Sequence, residues 1–404
     1  MTGEAPLSAA EFAALMAPLG PFGPAPRLAV GVSGGPHSLA LMLLASAWAR
    51  ARGGEAVALV VDHGLRPGSD AEAAWAAGLL RQQGMPAEIL TLALPGGAAI
   101  QERARAGRLE AMLDRCAALG LPWLLLGQHQ ADQAETVLFR ALRGSGAAGL
   151  AGMAAARPEP AALLLRPLLP VAPVRLEVLL AARGIVPLRD PSNTHPRFAR
   201  ARLRAALADP EGQGAGTQAL AAAATAFACR RDRAQEALTT RLAAALRLRP
   251  EGYAMLDAAA LGQDDVARAA LAALLRLLSG EEHAPPEAAV ARLLAQGQGT
   301  LHGVQWAAGL LCREPAACAP PLPASPGAVW DDRWQVDVVP EGLEVGALGA
   351  ASAALARRER RGLPARVLAG LPALRRAGAV VGVPVLGLGT AAELTFAPRG
   401  GPLG

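Results

Sequence analysis

The chain has 404 residues, 52% of them hydrophobic, with 39 basic against 34 acidic side chains, a formal charge of +5 and a pI near 9.8. Domains usually run to about 100–200 residues, so a chain of this length is expected to fold as two or three. The apolar fraction does not mark a membrane protein, because alanine supplies much of it, favours helix and buries little surface per residue. No uncharged apolar run reaches the roughly 18–20 residues that span a bilayer. The nearest, Ala377–Ala392, is broken by Pro384 and several glycines. Met1–Ala10 lacks the basic segment and apolar core of a secretory signal, which makes the cytoplasm the expected location and a membrane partner unexpected.

Cys116, Cys229, Cys312 and Cys318 show no CxxC spacing, which argues against a zinc ribbon, an iron–sulfur site or a disulfide framework. They are expected to be buried small hydrophobes. No lysine is present, so every long basic side chain is arginine. The guanidinium fork pairs with phosphate and stacks on bases, and the positive balance leans toward polyanionic partners. A base-composition bias of the genome explains an Arg-, Ala-, Gly- and Pro-rich chain equally well.

In chain order, Leu28–Ser33, Ala56–His63 and Trp123–His129 are short apolar runs that end in polar residues, the pattern of buried parallel strands. Helical stretches separate them: Leu39–Arg50, Asp70–Gln83 and Ile100–Ala118. This alternation predicts an α/β domain with a doubly wound parallel sheet, whose ligands gather at the carboxyl ends of the strands. From Asp209 the texture changes. A glycine-rich break at Glu211–Gly216 precedes the helix Thr217–Leu248, and residues 217–312 are expected to be helical throughout. After the proline-rich Pro315–Pro326, Val329–Val339 and Val380–Leu386 suggest short strands of a small terminal module. The expected division is 20–210 for the α/β domain, 215–314 for a helical domain and 327–404 for a C-terminal α+β module.

Ser33, Gly34, Gly35, Pro36, His37 and Ser38 link the first strand to its helix. A glycine-rich turn there aims backbone N–H groups at one spot, and the helix dipole favours an anion. Ser38 is placed to serve a phosphate or to cap the helix; an ordinary strand-to-helix turn is the bland alternative. No Gly-Lys-Ser/Thr follows, and no GxGxxG is present.

The loop resembles the SGGxDS signature of the PP-loop ATP pyrophosphatases. Further segments narrow the resemblance: Val61-Asp62-His63-Gly64-Leu65-Arg66; Gln128–Thr136 running into Arg143-Gly144-Ser145-Gly146 and Gly149–Met153; Arg166-Pro167-Leu168-Leu169; and Asp190-Pro191-Ser192-Asn193 followed by Arg197, Phe198, Arg200, Arg202 and Arg204. Over residues 26–210 these are similar to the tRNA(Ile)-lysidine synthetase family, and Leu371–Arg376 with Val383-Pro384 resembles a carboxy-terminal module of part of that family.

The resemblance implies ATP and Mg2+ as cofactors, and L-lysine and the tRNA(Ile) with a CAU anticodon as partners, with a homodimer left open. It implies that Ser33–Ser38 hold the phosphates with Asp62 and His63 beside the nucleotide, that His129, Asp132 and Glu135 serve catalysis, and that Asp132 holds the metal. Substrate contacts fall to Arg105, Arg108, Arg143, Gly144, Asn193, Arg197, Arg200 and Arg204. Read without the resemblance, Asp132 and Glu135 are also a negatively charged helix start, Asp62 a turn cap, and the arginines solvated helix faces.

Two positions depart from the family pattern. His37 stands where the signature has aspartate, and Ala131 where the third motif has the first of two adjacent aspartates. Neutral imidazole is a poor Mg2+ ligand and alanine is none. Two readings follow: an active ligase relying on Asp132 and Glu135, or a weakened or retired paralogue that binds tRNA or nucleotide without ligating. A tRNA thiolase on the same fold is disfavoured by the missing cysteine pair, and a non-catalytic RNA-binding module is the reading from another class.

Overall fold

Strands β1 (Arg27–Val32), β2 (Glu55–Asp62), β3 (Ala87–Thr91), β4 (Trp123–Leu125) and β6 (Leu163–Leu165) pair in parallel, and β5 (Ala156–Pro158) adds an antiparallel edge. A computed structural model describes residues 4–62, 64, 68–92, 100–189, 203, 208–209 and 212–399, without the side chains of 100–102 and 105. The six-stranded order is β3-β2-β1-β4-β6-β5. Leu28, Ala29 and Val30 of β1 are wholly buried, as expected for a strand covered on both faces.

On one face, Leu28, Val30 and Val32 pack with α1 (Ala9–Met16), α2 (Pro36–Arg50), α3 (Ser69–Gln82) and α7 (Pro173–Ala181). On the other, Ala29, Val57 and Leu59 meet Met112 and Cys116 of α4 (Ile100–Leu119). A side chain at Gly31 would lie 2.7 Å from a Leu126 methyl carbon and 2.9 Å from the Met112 sulfur, so glycine there lets α4 sit close. The expected helices and first two strands match within a few residues. The third strand is shorter than expected: Leu126 donates its last bond to the Leu165 carbonyl at 2.9 Å, and the chain then leaves the sheet for α5 (Gln130–Leu142) and the short α6 (Ala147–Leu150).

The chain divides into compact units Met1–Arg231 and Asp232–Gly404, the boundary falling within helix α8 (Ala215–Ala245). The expectation of continuous helix over 217–312 is corrected. Besides α8, α9 (Asp265–Ser279) and α10 (Glu287–Gln296), this stretch holds an antiparallel sheet of β7 (Leu246–Arg249), β8 (Tyr253–Leu256), β9 (Gly299–Leu301), β10 (Val304–Ala307) and β11 (Leu310–Arg313), ordered β7-β8-β11-β10-β9. Two of its three hairpins turn on His302-Gly303 and Ala308-Gly309, both residues of each pair having positive φ. Tight hairpins need that geometry, but neither pair carries the Asn-Gly or Asp-Gly mark that reveals it in a sequence.

The terminal module holds a sheet of β12 (Leu322–Pro323), β15 (Glu344–Ala347), β16 (Pro372–Arg376), β17 (Ala379–Val383) and β18 (Leu388–Gly389), and a smaller one of β13 (Val329–Trp330), β14 (Trp334–Val338) and β19 (Glu393–Phe396). The second expected strand there stops at Val383, because Pro384 opens a 3-10 turn. Cysteine burial is also corrected. Cys116 and Cys312 are buried and desolvation pushes the Cys116 thiol up to about 11, whereas Cys229 is exposed and Cys318 half-buried.

Candidate active site

Strand β1 has β2 on one side and β4 on the other. The chain therefore winds away from β1 in opposite directions, leaving a crevice at the carboxyl ends of these strands where doubly wound folds take their ligands. The loop Ser33–Ser38 closes β1 at this point.

Gly34 has φ +78°, and a side chain on it would meet Leu188 Cδ1 at 2.8 Å. Its carbonyl accepts from the Leu188 N–H at 3.0 Å. Gly35 is the cap residue of α2, with Pro36 in its first turn, where a preset φ and a missing N–H suit the helix. Ser38 is therefore not the cap. Its hydroxyl donates to the Gly35 carbonyl at 3.0 Å and accepts from the Ser33 N–H at 3.2 Å, tying both ends of the turn. Gly127, just past β4, lies against this turn: a Cβ there would stand 3.2 Å from the carbonyl carbon and oxygen of His37 and from Ser38 Cα.

Beyond Gly127 the chain enters α5 through His129. Its N–H donates to Asp132 Oδ2 at 3.1 Å, and its Nε2 stands 3.4 Å from the same oxygen. The His37 and His129 rings meet edge-on with centroids 4.0 Å apart. His37 Nε2 is 4.0 Å from Glu177 Oε1 of α7, and Glu177 also accepts from Arg189 at 2.8 Å. One connected group thus links loop, helix start and α7. Glu135 is buried deeper in α5, at 3% exposure.

On the other side of β1, Asp62 ends β2. Its Oδ1 accepts from the Gly64 N–H at 3.1 Å and the Ser69 hydroxyl at 2.6 Å, so this carboxylate organises the turn into α3. His63, Asn193, Arg197, Arg200 and Arg204 lie outside the described residues, as does the side chain of Arg105. Arg108 is half-buried on α4. Arg143 is exposed after α5 and stacks on Phe139 at 4.3 Å, and Gly144 follows at φ +71°.

Several residues that hold the rim carry no catalytic pattern of their own. Gln133 exchanges two bonds with Met153, Nε2 to its carbonyl at 3.0 Å and Oε1 from its N–H at 2.7 Å. Arg140 donates to the carbonyls of Gly149 and Gly152, and Arg166 to that of Ala154. These bonds fix the segment 149–154 against α5. The only local signal was at Gly127, a glycine just past an apolar run, which marks close backbone approach. Glu177 gave none, being distant in sequence from His37.

A PP-loop domain family matches residues 6–211, the span that builds this sheet and loop. The chain is 36% identical over 397 residues to the tRNA(Ile)-lysidine synthase of Ruegeria pomeroyi, covering 92% of each chain. It is 43% identical over 212 residues to the protein of that name from Novosphingobium aromaticivorans, covering 50% of this chain and 64% of that one. With the Bradyrhizobium sp. relative the figures are 42% over 219 residues, 54% and 60%, so the chain covers less than two thirds of the length of these last two. Among solved structures, the U34-tRNA thiolase NcsA from Methanococcus maripaludis with its [4Fe-4S] cluster aligns at 15% identity and a TM-score of 0.45 over 55% of this chain and 76% of that one. The chain belongs to the tRNA(Ile)-lysidine synthase family of PP-loop proteins.

Proposed function

We propose that this protein uses ATP to join L-lysine to the wobble cytidine of the tRNA(Ile) with a CAU anticodon, forming lysidine. The observation that carries this reading is the likeness to the Ruegeria pomeroyi synthase along nearly the whole of both chains, joined to a glycine turn at the switch point of the sheet. In the proposed reaction the cytosine carbonyl oxygen attacks the α-phosphorus and pyrophosphate leaves. The side-chain amine of lysine then attacks the adenylated base and AMP leaves, the amine proton passing to a base or water. Such transfers depend on position and charge neutralisation more than on covalent help.

The chain's own part is to hold the reactants. The Ser33–Ser38 turn presents backbone N–H groups to the phosphates, and Ser38 keeps it closed. Gly127 brings the β4 end and His129 against it, and Asp132 and Glu135 supply carboxylates along α5. Arg105, Arg108, Arg143, Gly144, Asn193, Arg197, Arg200 and Arg204 are the residues assigned to the RNA in this reading. Among the described residues no group of three or more His, Cys, Asp or Glu is placed to hold a metal. Mg2+ is commonly carried on nucleotide phosphates and water with one or two carboxylates. Asp132 would hold it, and Mg2+ would neutralise charge on the leaving pyrophosphate.

Among the described residues no helix is long and apolar enough to cross a membrane, and we place the protein in the cytoplasm with its tRNA. The test is transfer of labelled lysine to unmodified tRNA(Ile) in the presence of ATP and Mg2+. Transfer is expected, with Asp132→Asn slower by about 10²-fold. No transfer despite tight tRNA binding would establish the retired paralogue instead.

A further inference from the structure

We propose that His37 contacts the nucleotide phosphates directly, as a cationic donor held in place by Glu177 and His129. This rests on the reading of Ser33–Ser38 as the ATP loop and assigns a role to the residue that departs from the loop signature.

His37 lies in the first turn of α2, beside the phosphate-binding turn, with 27% of its side chain exposed. It does not project freely. The His129 ring meets it edge-on, and Glu177 Oε1 stands 4.0 Å from its Nε2. Glu177 is itself fixed by Arg189 at 2.8 Å, and His129 by Asp132 at 3.4 Å. The resulting order is Arg189, Glu177, His37, His129, Asp132, with a carboxylate beside each imidazole. Two aromatic rings edge to face fix each other's orientation.

A metal ligand at this place in the loop would need hard oxygen donors. The structure instead puts a nitrogen ring there, with the Glu177 carboxylate of α7 4.0 Å from it, within ion-pair range but beyond a hydrogen bond, and α7 packs against α2. A carboxylate within ion-pair range on one side and a phosphate on the other both favour the charged imidazolium, which donates from its ring N–H groups. A charge-assisted bond of that type is short and about twice as strong as a neutral one. The chain thereby neutralises part of the phosphate charge itself.

The test is ATP binding by the full chain, measured by calorimetry with EDTA and with Mg2+, for the wild type and three variants whose folding is checked by circular dichroism. Wild type is expected to bind in EDTA nearly as well as in Mg2+. His37→Asp is expected to lose about tenfold or more in EDTA and to recover with Mg2+. His37→Asn is expected to lose as much without recovery, since a neutral amide neither carries charge nor binds Mg2+ well. Glu177→Gln should show a smaller loss confined to EDTA. Equal Mg2+ dependence in wild type and His37→Asp overturns the proposal. If the aspartate variant does not fold, unchanged EDTA affinity in His37→Asn overturns it. Wild type that binds no ATP in either condition overturns the ATP reading along with it.

Discussion

The two units bury polarity in different places. In the N-terminal unit most of the buried polar groups, Asp62, Ser69, His129, Gln133, Glu135, Thr136 and Arg166, lie at or just beyond the carboxyl ends of β2, β4 and β6, with Ser46 and Thr217 elsewhere on helices. In the C-terminal unit Arg313, Asp331 and Arg333 are buried among antiparallel strands with Trp330 and Trp334. Asp331 accepts from Arg333 Nε at 2.8 Å and from Arg313 at 3.1 and 3.2 Å, and desolvation holds the Arg333 guanidinium below its ordinary value. A parallel sheet sends all its strand ends to one edge, so buried polarity there is available to a ligand. In the antiparallel module the charges satisfy one another and tie strand connections together. The comparison teaches that topology decides whether a buried charge lies at an open sheet edge or is closed in among strands.

The strongest way to break that contrast is Asp331→Ala. It strands two buried guanidinium groups, and losing one partner of a buried pair costs about 3–5 kcal/mol. Denaturation followed by tryptophan fluorescence should show the C-terminal unit destabilised while ATP binding persists. A variant that loses ATP binding without losing stability would put this cluster on the functional side.

Next in size is Gly127→Ala. Its Cβ would press on the His37 carbonyl and Ser38 Cα, and displacement by even an ångström costs about 10²-fold in rate. Lysine transfer should fall by that order with the thermal midpoint nearly unchanged. An unaltered rate would mean that the close approach of β4 and the loop is packing alone.

Gln133→Leu sharpens the boundary between support and chemistry. It leaves the Met153 N–H and carbonyl without their partner, a loss of about 1–3 kcal/mol, and should lower stability and lysine transfer together. A fall in transfer at unchanged stability would move Gln133 into contact with substrate.

The smallest effect is expected at Asp209. Although partial burial works against it, bonds from the Thr217 hydroxyl and the N–H groups of Gly214, Gln213 and Gly212 hold its carboxyl below the ordinary value. A depressed carboxylate stabilises the fold above its unfolded value and loses that contribution as pH falls through the folded one. Asp209→Asn should therefore cost about 1 kcal/mol at neutral pH, and the gap from wild type in urea titrations should close in acid. A gap independent of pH would show that shape rather than charge matters there.

The place of the loop was legible because a glycine turn between an apolar strand and a helix is a local pattern. His129 and Asp132 were legible for the same reason, sitting at the next strand end. Asp62 was ambiguous in the sequence, and the structure shows its Oδ1 accepting from Gly64 and Ser69 in the turn into α3. The β7–β11 sheet was not legible, because its strands are only three or four residues long and two of its hairpins use His302-Gly303 and Ala308-Gly309. Alanine-rich flanks gave helical periodicity to the whole stretch.

By itself the sequence determined the parallel α/β class, the loop at its first strand and the family, since those rest on short-range patterns and on the order of motifs along the chain. Only the tertiary structure decided that Ser38 closes the turn rather than caps α2, and that the second half is largely antiparallel. It also decided that His37 stands between His129 and Glu177. That last grouping joins residues from α2, the end of β4 and α7, and nothing local in a chain records which distant carboxylate will pack beside a given imidazole.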